Sequence, residues 1–275
     1  MHGSQTHMIV ALGSLHREAD GILRSGDYTQ VDSPEDFLAY RPFFDSGSAG
    51  ALPVVVLSGS GSERATRATK WAIEKFTPDA IIAFGFCSAT RDLERSGDIV
   101  IAARVVGLPG APFEWSVVDD TDSLGPDRLL LLAARTSVEV SGLDYHHGTI
   151  VTISKFATTA GAKQWLGEAI NSNAVDTEAH SIATVANDAR VPWIAVKSVL
   201  DNRDFNVPAI ADRIVSGPYK RGVSTYIKHV SKAPGDLPAL IKLGRSSTAA
   251  SAALRIFMTA FMDALTPLSI GERNS

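Results

Sequence analysis

Runs of strand length that carry no polar side chain leave a chain few ways to fold. Ala80-Ile81-Ile82-Ala83-Phe84 is one such run, and Met8-Ile9-Val10-Ala11-Leu12 and Val54-Val55-Val56-Leu57 are two more. A strand apolar on both faces has to be covered on both faces, the condition of a sheet held between helices. Segments of helical spacing separate these runs, for example Glu63 to Phe76 after the second one. Strands alternating with helices predict an α/β domain packed in three layers, helix on sheet on helix. At 275 residues the chain is long enough for one large domain with an appendage.

Further elements follow in order. Ser14 stands ready to cap a helix whose first turn holds Arg17 and Glu18. Residues 26–50, rich in Gly, Ser, Asp and Pro, read as loop. Ile99 to Ala102 and Gly148 to Ile153 read as strands, Leu129 to Val138 as a helix, and a further helix begins over Lys163 to Ala169. The segment from Ala111 to Arg128 reads as an irregular excursion near the mouth of a site. Beyond Pro208, residues Ile210 to Val230 have helical spacing broken at Gly217-Pro218, and Ala233-Pro234-Gly235-Asp236 reads as a linking turn. The apolar stretch from Ala249 to Leu265, interrupted by Arg255 and Asp263, reads as a packed or interfacial amphipathic helix. The expected division is a main domain over 8–230 and a C-terminal helical extension over 231–275.

Bulk properties remove several classes of function. A net charge of -4 and a pI near 6.0 give no basic footprint for nucleic acid. Cys87 is the single cysteine, so no intramolecular disulfide forms, in keeping with a reducing, cytoplasmic setting. His16 and the pair His146-His147 stand apart from any Cys/His cluster at zinc spacing, and no metal or organic cofactor is expected. The polar N-terminus before Met8 lacks the apolar core of a signal peptide.

Chemistry concentrates in Ala174-Val175-Asp176-Thr177-Glu178-Ala179-His180 and in the strand-length run from Val191 to Asp201. Glu178 opens a helical pattern through Ala179, Ile182, Ala183, Val185 and Ala186. Asp201 closes a strand at the sheet edge where ligands of open α/β sheets gather. The turn Ser58-Gly59-Ser60-Gly61 joins a strand to a helix, where backbone N–H groups cradle an anion or a hydroxyl-rich ligand, or simply make a tight turn. It is neither a Walker loop nor a dinucleotide fingerprint, which argues against a dinucleotide-dependent oxidoreductase. Each carboxylate also has a plain structural reading: Asp201 as a helix N-cap, Glu178 and Glu18 as acidic residues favoured at helix starts.

Five motifs then line up. Ser58-Gly59-Ser60-Gly61, Pro78 through Gly85, Gly97-Asp98-Ile99-Val100, Val175-Asp176-Thr177-Glu178-Ala179 and Asp201 follow the order and spacing of the nucleoside phosphorylase-I superfamily. Over residues 8 to 230 the chain resembles methylthioadenosine/S-adenosylhomocysteine nucleosidases and hopanoid-associated phosphorylases. The tail from Ala233 to Ile241 and His180 after the Glu178-Ala179 pair resemble the hopanoid group in particular. The resemblance implies a mixed, partly barrel-like sheet and cleavage of the N-glycosidic bond of an adenine-type nucleoside. Asp201 then falls on the acid that protonates purine N7, Glu178 on the residue holding the ribose hydroxyls, and Glu18 on the base that activates water. Ser60 and Gly61 fall at the sugar, Thr177 takes the place of a methionine beneath it, and Phe156 stands where an aromatic stacks on the base. Cys87 and Ser88 replace part of an Ala-Gly-Gly run beside the base.

Resemblance leaves the nucleophile open. No arginine lies in Ala83-Phe84-Gly85-Phe86, where several phosphorylases of the superfamily carry one, so water is favoured over phosphate. Arg17, Arg64 or a residue from a neighbouring subunit would be needed if phosphate is the co-substrate. A nucleoside-binding module without turnover is the rival from another class, kept open by Thr177 and Cys87-Ser88-Ala89. By resemblance the protein is a homo-oligomer, its substrate carries a large apolar 5′ group if the hopanoid likeness holds, and the C-terminal helix then makes peripheral contact with a membrane.

Overall fold

The computed structural model describes residues 8–34, 36–43, 52–92, 95–110, 123–208, 211 and 234–268. Ten strands form one sheet with the order β10-β6-β8-β9-β5-β1-β4-β3-β2, and a short β7 pairs with β6. Its parallel heart is β4 (Val54–Leu57), β1 (Ile9–Gly13), β5 (Ala80–Ala89) and β10 (Trp193–Asp201), which hold the three all-apolar runs of the sequence and the run ending at Asp201. From β10 the sheet continues through antiparallel β6 (Ile99–Leu108), parallel β8 (Tyr145–Ile153) and parallel β9 (Ser172–Asp176). The last of these returns to the far end of β5 at Ser88 and Ala89, so five strands close into a barrel-like ring.

Strand alternation sorts the two helix layers. On one face Ile9, Ala11, Ile82, Phe84, Phe86, Ile194 and Val196 pack with α1 (His16–Leu23), α3 (Arg128–Ser141) and α6 (Leu237–Leu268). On the other, Val10, Leu12, Ile81, Ala83, Cys87, Trp193, Ala195 and Val199 pack with α2 (Ser62–Phe76) and α5 (Ala179–Asp188). This is the three-layer α/β arrangement that the apolar runs require. Helix α4 (Ala160–Ala169) lies outside both layers and closes a smaller cluster through Leu166, with Val151, Ile153 and Val175.

The C-terminal helix, expected as an extension, is a wall of the main core. Ala250, Ala253, Leu254, Phe257, Met258, Phe261 and Met262, at helical spacing, are buried against the sheet, α1 and α3. Phe257 and Phe261 stack at 5.2 Å and are fully enclosed, each side chain contributing about 1.5–3 kcal/mol by burial. The exposed side mixes Lys242, Arg245, Thr248, Arg255, Thr259 and Asp263 with the apolar Leu237, Ile241 and Ile256.

Residues 26–50 were expected to be loop, yet β2 (Tyr28–Val31) and β3 (Leu38–Pro42) form an antiparallel hairpin at the sheet edge. Their outer residues, Thr29 and Gln30, face solvent, so the apolar signal of a strand is missing. Of the excursion expected over Ala111 to Arg128, residues 111–122 lie outside the described set; the rest holds β7 (Ser123–Leu124) and Asp127, which caps α3 by accepting from the Leu129 and Leu130 N–H groups. The helical pattern over 210–230 also falls outside it, Ala211 excepted.

Candidate active site

Strand β5 has more length than its neighbours on one edge can cover. β1 pairs with it through Ala83 and β9 resumes only at Ser88, so Phe84 to Cys87 have no strand beside them there. Glu18, on the first turn of α1, fills part of that opening. Its Oε1 accepts the Phe86 N–H at 2.8 Å, and its Oε2 accepts the N–H groups of Ser14 and Leu15 at 2.8 Å each and the Ser14 hydroxyl at 3.1 Å. The carboxylate is 3% exposed. Gly85 makes the approach possible: its φ is +143°, and a Cβ there would sit 2.8 Å from Glu18 Oε1. Glu18 is therefore a helix-start carboxylate, as one reading of the sequence had it, and a wall of the opening as well.

Asp201 reaches the same stretch of β5 from the other side. Pairing of β10 with β5 slips by one residue, so that Val199 opposes Cys87 but Asp201, not Leu200, opposes Ser88. A bulge of this kind re-aims the side chains that follow it. The Ser88 hydroxyl donates to Asp201 Oδ1 at 2.7 Å, and Lys163 Nζ of α4 meets Oδ2 at 2.6 Å. Lys163 has no exposed surface and also donates to the carbonyls of Asn202 at 2.7 Å and Phe205 at 2.6 Å. Burial pushes the Asp201 carboxyl above the ordinary range, and Lys163, Ser88 and the more distant Lys242 hold part of that rise back. No helix starts at Asp201; a loop follows, so its reading as an N-cap is set aside.

Glu178 occupies the third corner, at the turn from β9 into α5. Its Oε1 accepts the Gly61 N–H at 2.8 Å and the hydroxyls of Ser60, at 3.2 Å, and Thr177. Ser62 closes the junction by donating to the Thr177 carbonyl at 3.1 Å. The glycine-rich turn had two readings, a ligand cradle or a tight turn, and three of its N–H groups are engaged within the protein: Ser58 on Gly13, Gly59 on Ser14, Gly61 on Glu178. Nor does Glu178 cap α5. Asp176 does so, accepting from the Ala179 N–H at 2.9 Å and from the Thr152 hydroxyl at 2.6 Å.

Beneath these carboxyl groups lies Lys197 of β10, 2% exposed, with Nζ 2.8 Å from Asp176 Oδ2. Burial opposes its charge, but Asp176, Glu178 and Glu18 together outweigh that and hold its pKa well above the usual lysine range. Glu178 is pushed up, by burial first and by the neighbouring Asp176 and Glu18, while Lys197 and the Thr177 hydroxyl pull it down. Three carboxyl groups thus share one ammonium, a surplus of negative potential suited to a cation forming between them.

The remaining sequence candidates divide. Phe156 is half-buried and packs against the large core cluster that includes Phe86 and Leu200. The Cys87 side chain points the other way, into the layer with Ala174, Ala179 and Val199, because it alternates with Phe86 and Ser88 along β5. Its backbone is what remains on the side of the opening, the part of this turn expected to lie beside the base. Arg17 turns away and donates to the Gly244 carbonyl and the Thr248 hydroxyl of α6. Lys163 and Lys197 were missed. Their one signal is a lysine on an apolar pattern: Lys163 shares its helix face with Leu166 and Ile170, and Lys197 follows Val196 in a strand buried throughout.

The sequence profile of the phosphorylase superfamily matches residues 8–217. Among curated proteins, the 5′-methylthioadenosine/S-adenosylhomocysteine nucleosidase of Shewanella piezotolerans is 32% identical over 201 residues, covering 70% of this chain and 84% of that protein. The one of Shewanella loihica is 28% identical over 211 residues, covering 73% and 89%. Among solved structures, the nucleosidase of Neisseria meningitidis in complex with methylthio-immucillin-A superposes with a TM-score of 0.70 at 20% identity, covering 93% of this chain and 98% of that one. The futalosine hydrolase of Helicobacter pylori gives 0.67 at 16% identity, covering 92% and 97%. These two likenesses bear on the fold.

Proposed function

The chain belongs to the phosphorylase superfamily, and on that premise we propose that it hydrolyses the N-glycosidic bond of an adenine-type purine nucleoside. The observation that carries this reading is a set of three buried carboxyl groups around the carboxyl half of β5: Glu18 on the Phe86 N–H, Asp201 on the Ser88 hydroxyl, and Glu178 at the turn from β9 into α5, near enough to Glu18 and Lys197 to feel their charges. Glu18 lies against Phe86 and Asp201 against Ser88, two residues and roughly 7 Å apart along the strand. Glu18 is close enough to Glu178 to raise the cost of ionising it.

The chemistry matches that spacing. A purine leaves readily only if N7 gains a proton as the C1′–N9 bond breaks. Asp201, raised by burial, supplies an acid of that kind, a contribution of typically ~10²–10⁴-fold. The sugar meanwhile takes on positive charge. Glu178, with Oε2 making no bond to the protein among the described residues, accepts from the ribose hydroxyls and steadies that charge. Water captured at C1′ loses its proton towards Glu18. No metal or organic cofactor enters the scheme.

Water is favoured over phosphate by three observations. Arg17 is engaged with α6, no arginine occurs from Ala83 to Ala89, and the surplus of carboxyl groups repels a dianion. Arg64, whose guanidinium lies over Gly59, is the one feature favouring phosphorolysis. A large apolar 5′ group rests on the hopanoid likeness alone. Peripheral membrane contact rests on the resemblance and on the exposed Leu237, Ile241 and Ile256 of α6, most of whose large apolar side chains are instead taken up by the core. A homo-oligomer draws on Leu129, Leu132 and Val140, exposed along one side of α3.

Release of adenine from adenosine and 5′-methylthioadenosine, with and without phosphate, tests all of this. Release in phosphate-free buffer is the expected result. Release only with phosphate replaces hydrolysis by phosphorolysis, and binding with no release leaves a nucleoside-binding module.

A further inference from the structure

The Lys163 ammonium is fully enclosed, and three protein oxygens surround it: Asp201 Oδ2 at 2.6 Å and the carbonyls of Asn202 and Phe205 at 2.7 and 2.6 Å. All three of its N–H donors are directed, so it cannot turn towards a ligand without leaving carbonyls unsatisfied. Resting on the reading above, we infer that Lys163 is a positioning residue that sets the strength and the direction of the Asp201 acid, by pairing with the carboxylate that proton transfer leaves behind.

Geometry fixes both parts. With Oδ2 held by Lys163 and Oδ1 by the Ser88 hydroxyl, the carboxyl plane cannot rotate, and the bulge at Leu200 has already set its direction. The same ammonium ties down the 202–205 turn that would otherwise be free to carry Asp201 away from the opening. In the reaction the Asp201 proton goes to N7, and the C1′–N9 electron pair stays with the departing base. The base leaves neutral, and the negative charge remains on Asp201 facing Lys163. Water completes the sugar and gives its proton to Glu18, from which solvent carries it back. A buried carboxylate formed in this way without a partner is costly, so the lysine lowers the barrier at the proton-transfer step.

Groups facing Asp201 come from each neighbouring element. Lys163 comes from α4, the Ser88 hydroxyl from β5, and Lys242, held over the Phe205 ring at 4.8 Å, from α6. Arg203 of the following turn pairs outward with Asp92 and Asp204. Among these only Lys163 bonds the carboxylate with a charge. Burial drives the acid up and the lysine opposes it. The acid works protonated, so activity falls as pH rises through its pKa, and removing the lysine carries that fall to higher pH.

The test compares Lys163→Met and Lys163→Gln with Lys163→Arg, the Gln variant keeping a donor for the loop carbonyls. The pH dependence of kcat/KM is measured for 5′-methylthioadenosine and for p-nitrophenyl riboside, whose leaving group needs no proton. Expected are an alkaline limb moved to higher pH in the Met and Gln variants, and a kcat on the purine nucleoside lowered about tenfold or more. The p-nitrophenyl riboside rate is little changed, and Arg restores the limb. An unmoved limb, or an equal loss on both substrates, reduces Lys163 to a structural strut and overturns the inference. Asp201→Asn separates the two levels: if it cleaves the purine nucleoside as fast as the unaltered protein, the acid assignment itself falls, and this proposal with it.

Discussion

Gly85→Ala is a one-carbon change whose consequence can be worked through. The new Cβ would lie 2.8, 3.0 and 3.1 Å from the three atoms of the Glu18 carboxyl group. A flexible carboxylate would ordinarily step aside, but this one is pinned by N–H groups from Ser14, Leu15 and Phe86. Alanine also has to adopt a φ of +143°, a strain of about 1–3 kcal/mol. Displacing Glu18 removes at least the Phe86 bond, and a hydrogen bond to a charged group contributes about 1.5–3 kcal/mol. Together the loss is about 2.5–6 kcal/mol, or roughly 5–24 °C in Tm for a chain somewhat above the usual single-domain size. Thermal unfolding measures that loss, and adenine release in phosphate-free buffer should fall at least tenfold as the water-activating base moves. Glu18→Gln and the double variant complete a cycle, in which the two changes should be strongly non-additive because they act on one group. A Gly85→Ala protein with unaltered Tm and turnover would refute the argument that β5 is shaped around Glu18.

Three further outcomes follow from the same geometry. Asp201→Asn keeps an acceptor for Lys163 and lowers kcat by about 10²–10⁴-fold on purine nucleosides, read by base release. Glu178 is raised above its ordinary value in the folded protein, so folding binds its proton more tightly and its contribution to stability falls as pH rises from about 4.5 through the folded value. Glu178→Gln should therefore abolish turnover while raising Tm at neutral pH relative to the unaltered chain, with the difference shrinking in acid; an equal Tm difference at pH 4 and pH 7 counts against this. Lys197→Met leaves Asp176, Glu178 and Glu18 without their shared cation and costs about 3–5 kcal/mol in chemical denaturation.

The parts legible in the sequence were those written in local chemistry. Ala80 to Phe84 announced a strand covered on both faces, and the runs around it set the layers. Glu18, Glu178 and Asp201 stand at the ends of elements that a period count can find, and their order along the chain followed a family pattern. What stayed hidden depends on pairing at a distance. Lys163 meets Asp201 across 38 positions, and nothing near either residue announces the partner. The slip at Leu200 has no composition of its own, being a matter of which residue of β5 each residue of β10 faces. The serines and glycines of residues 58–62 looked like a ligand cradle because their local conformation is that of one. Only the approach of Glu178, 117 positions from Gly61, uses up the N–H group. The hairpin of β2 and β3 escaped because edge strands are kept polar where they meet water.

The long terminal helix has a practical corollary for anyone shortening this chain. The sequence-profile match stops at residue 217, which invites an expression boundary there. Yet Leu254, Phe257 and Phe261 come from beyond that point and lie in the same cluster as Phe84, Ile99 and Leu130. A fragment cut at the likeness would bare the inner sides of α1 and α3 to water and expose one sheet face, a recipe for inclusion bodies. Recognisable ancestry and the smallest piece able to hold itself together are, in this protein, different lengths.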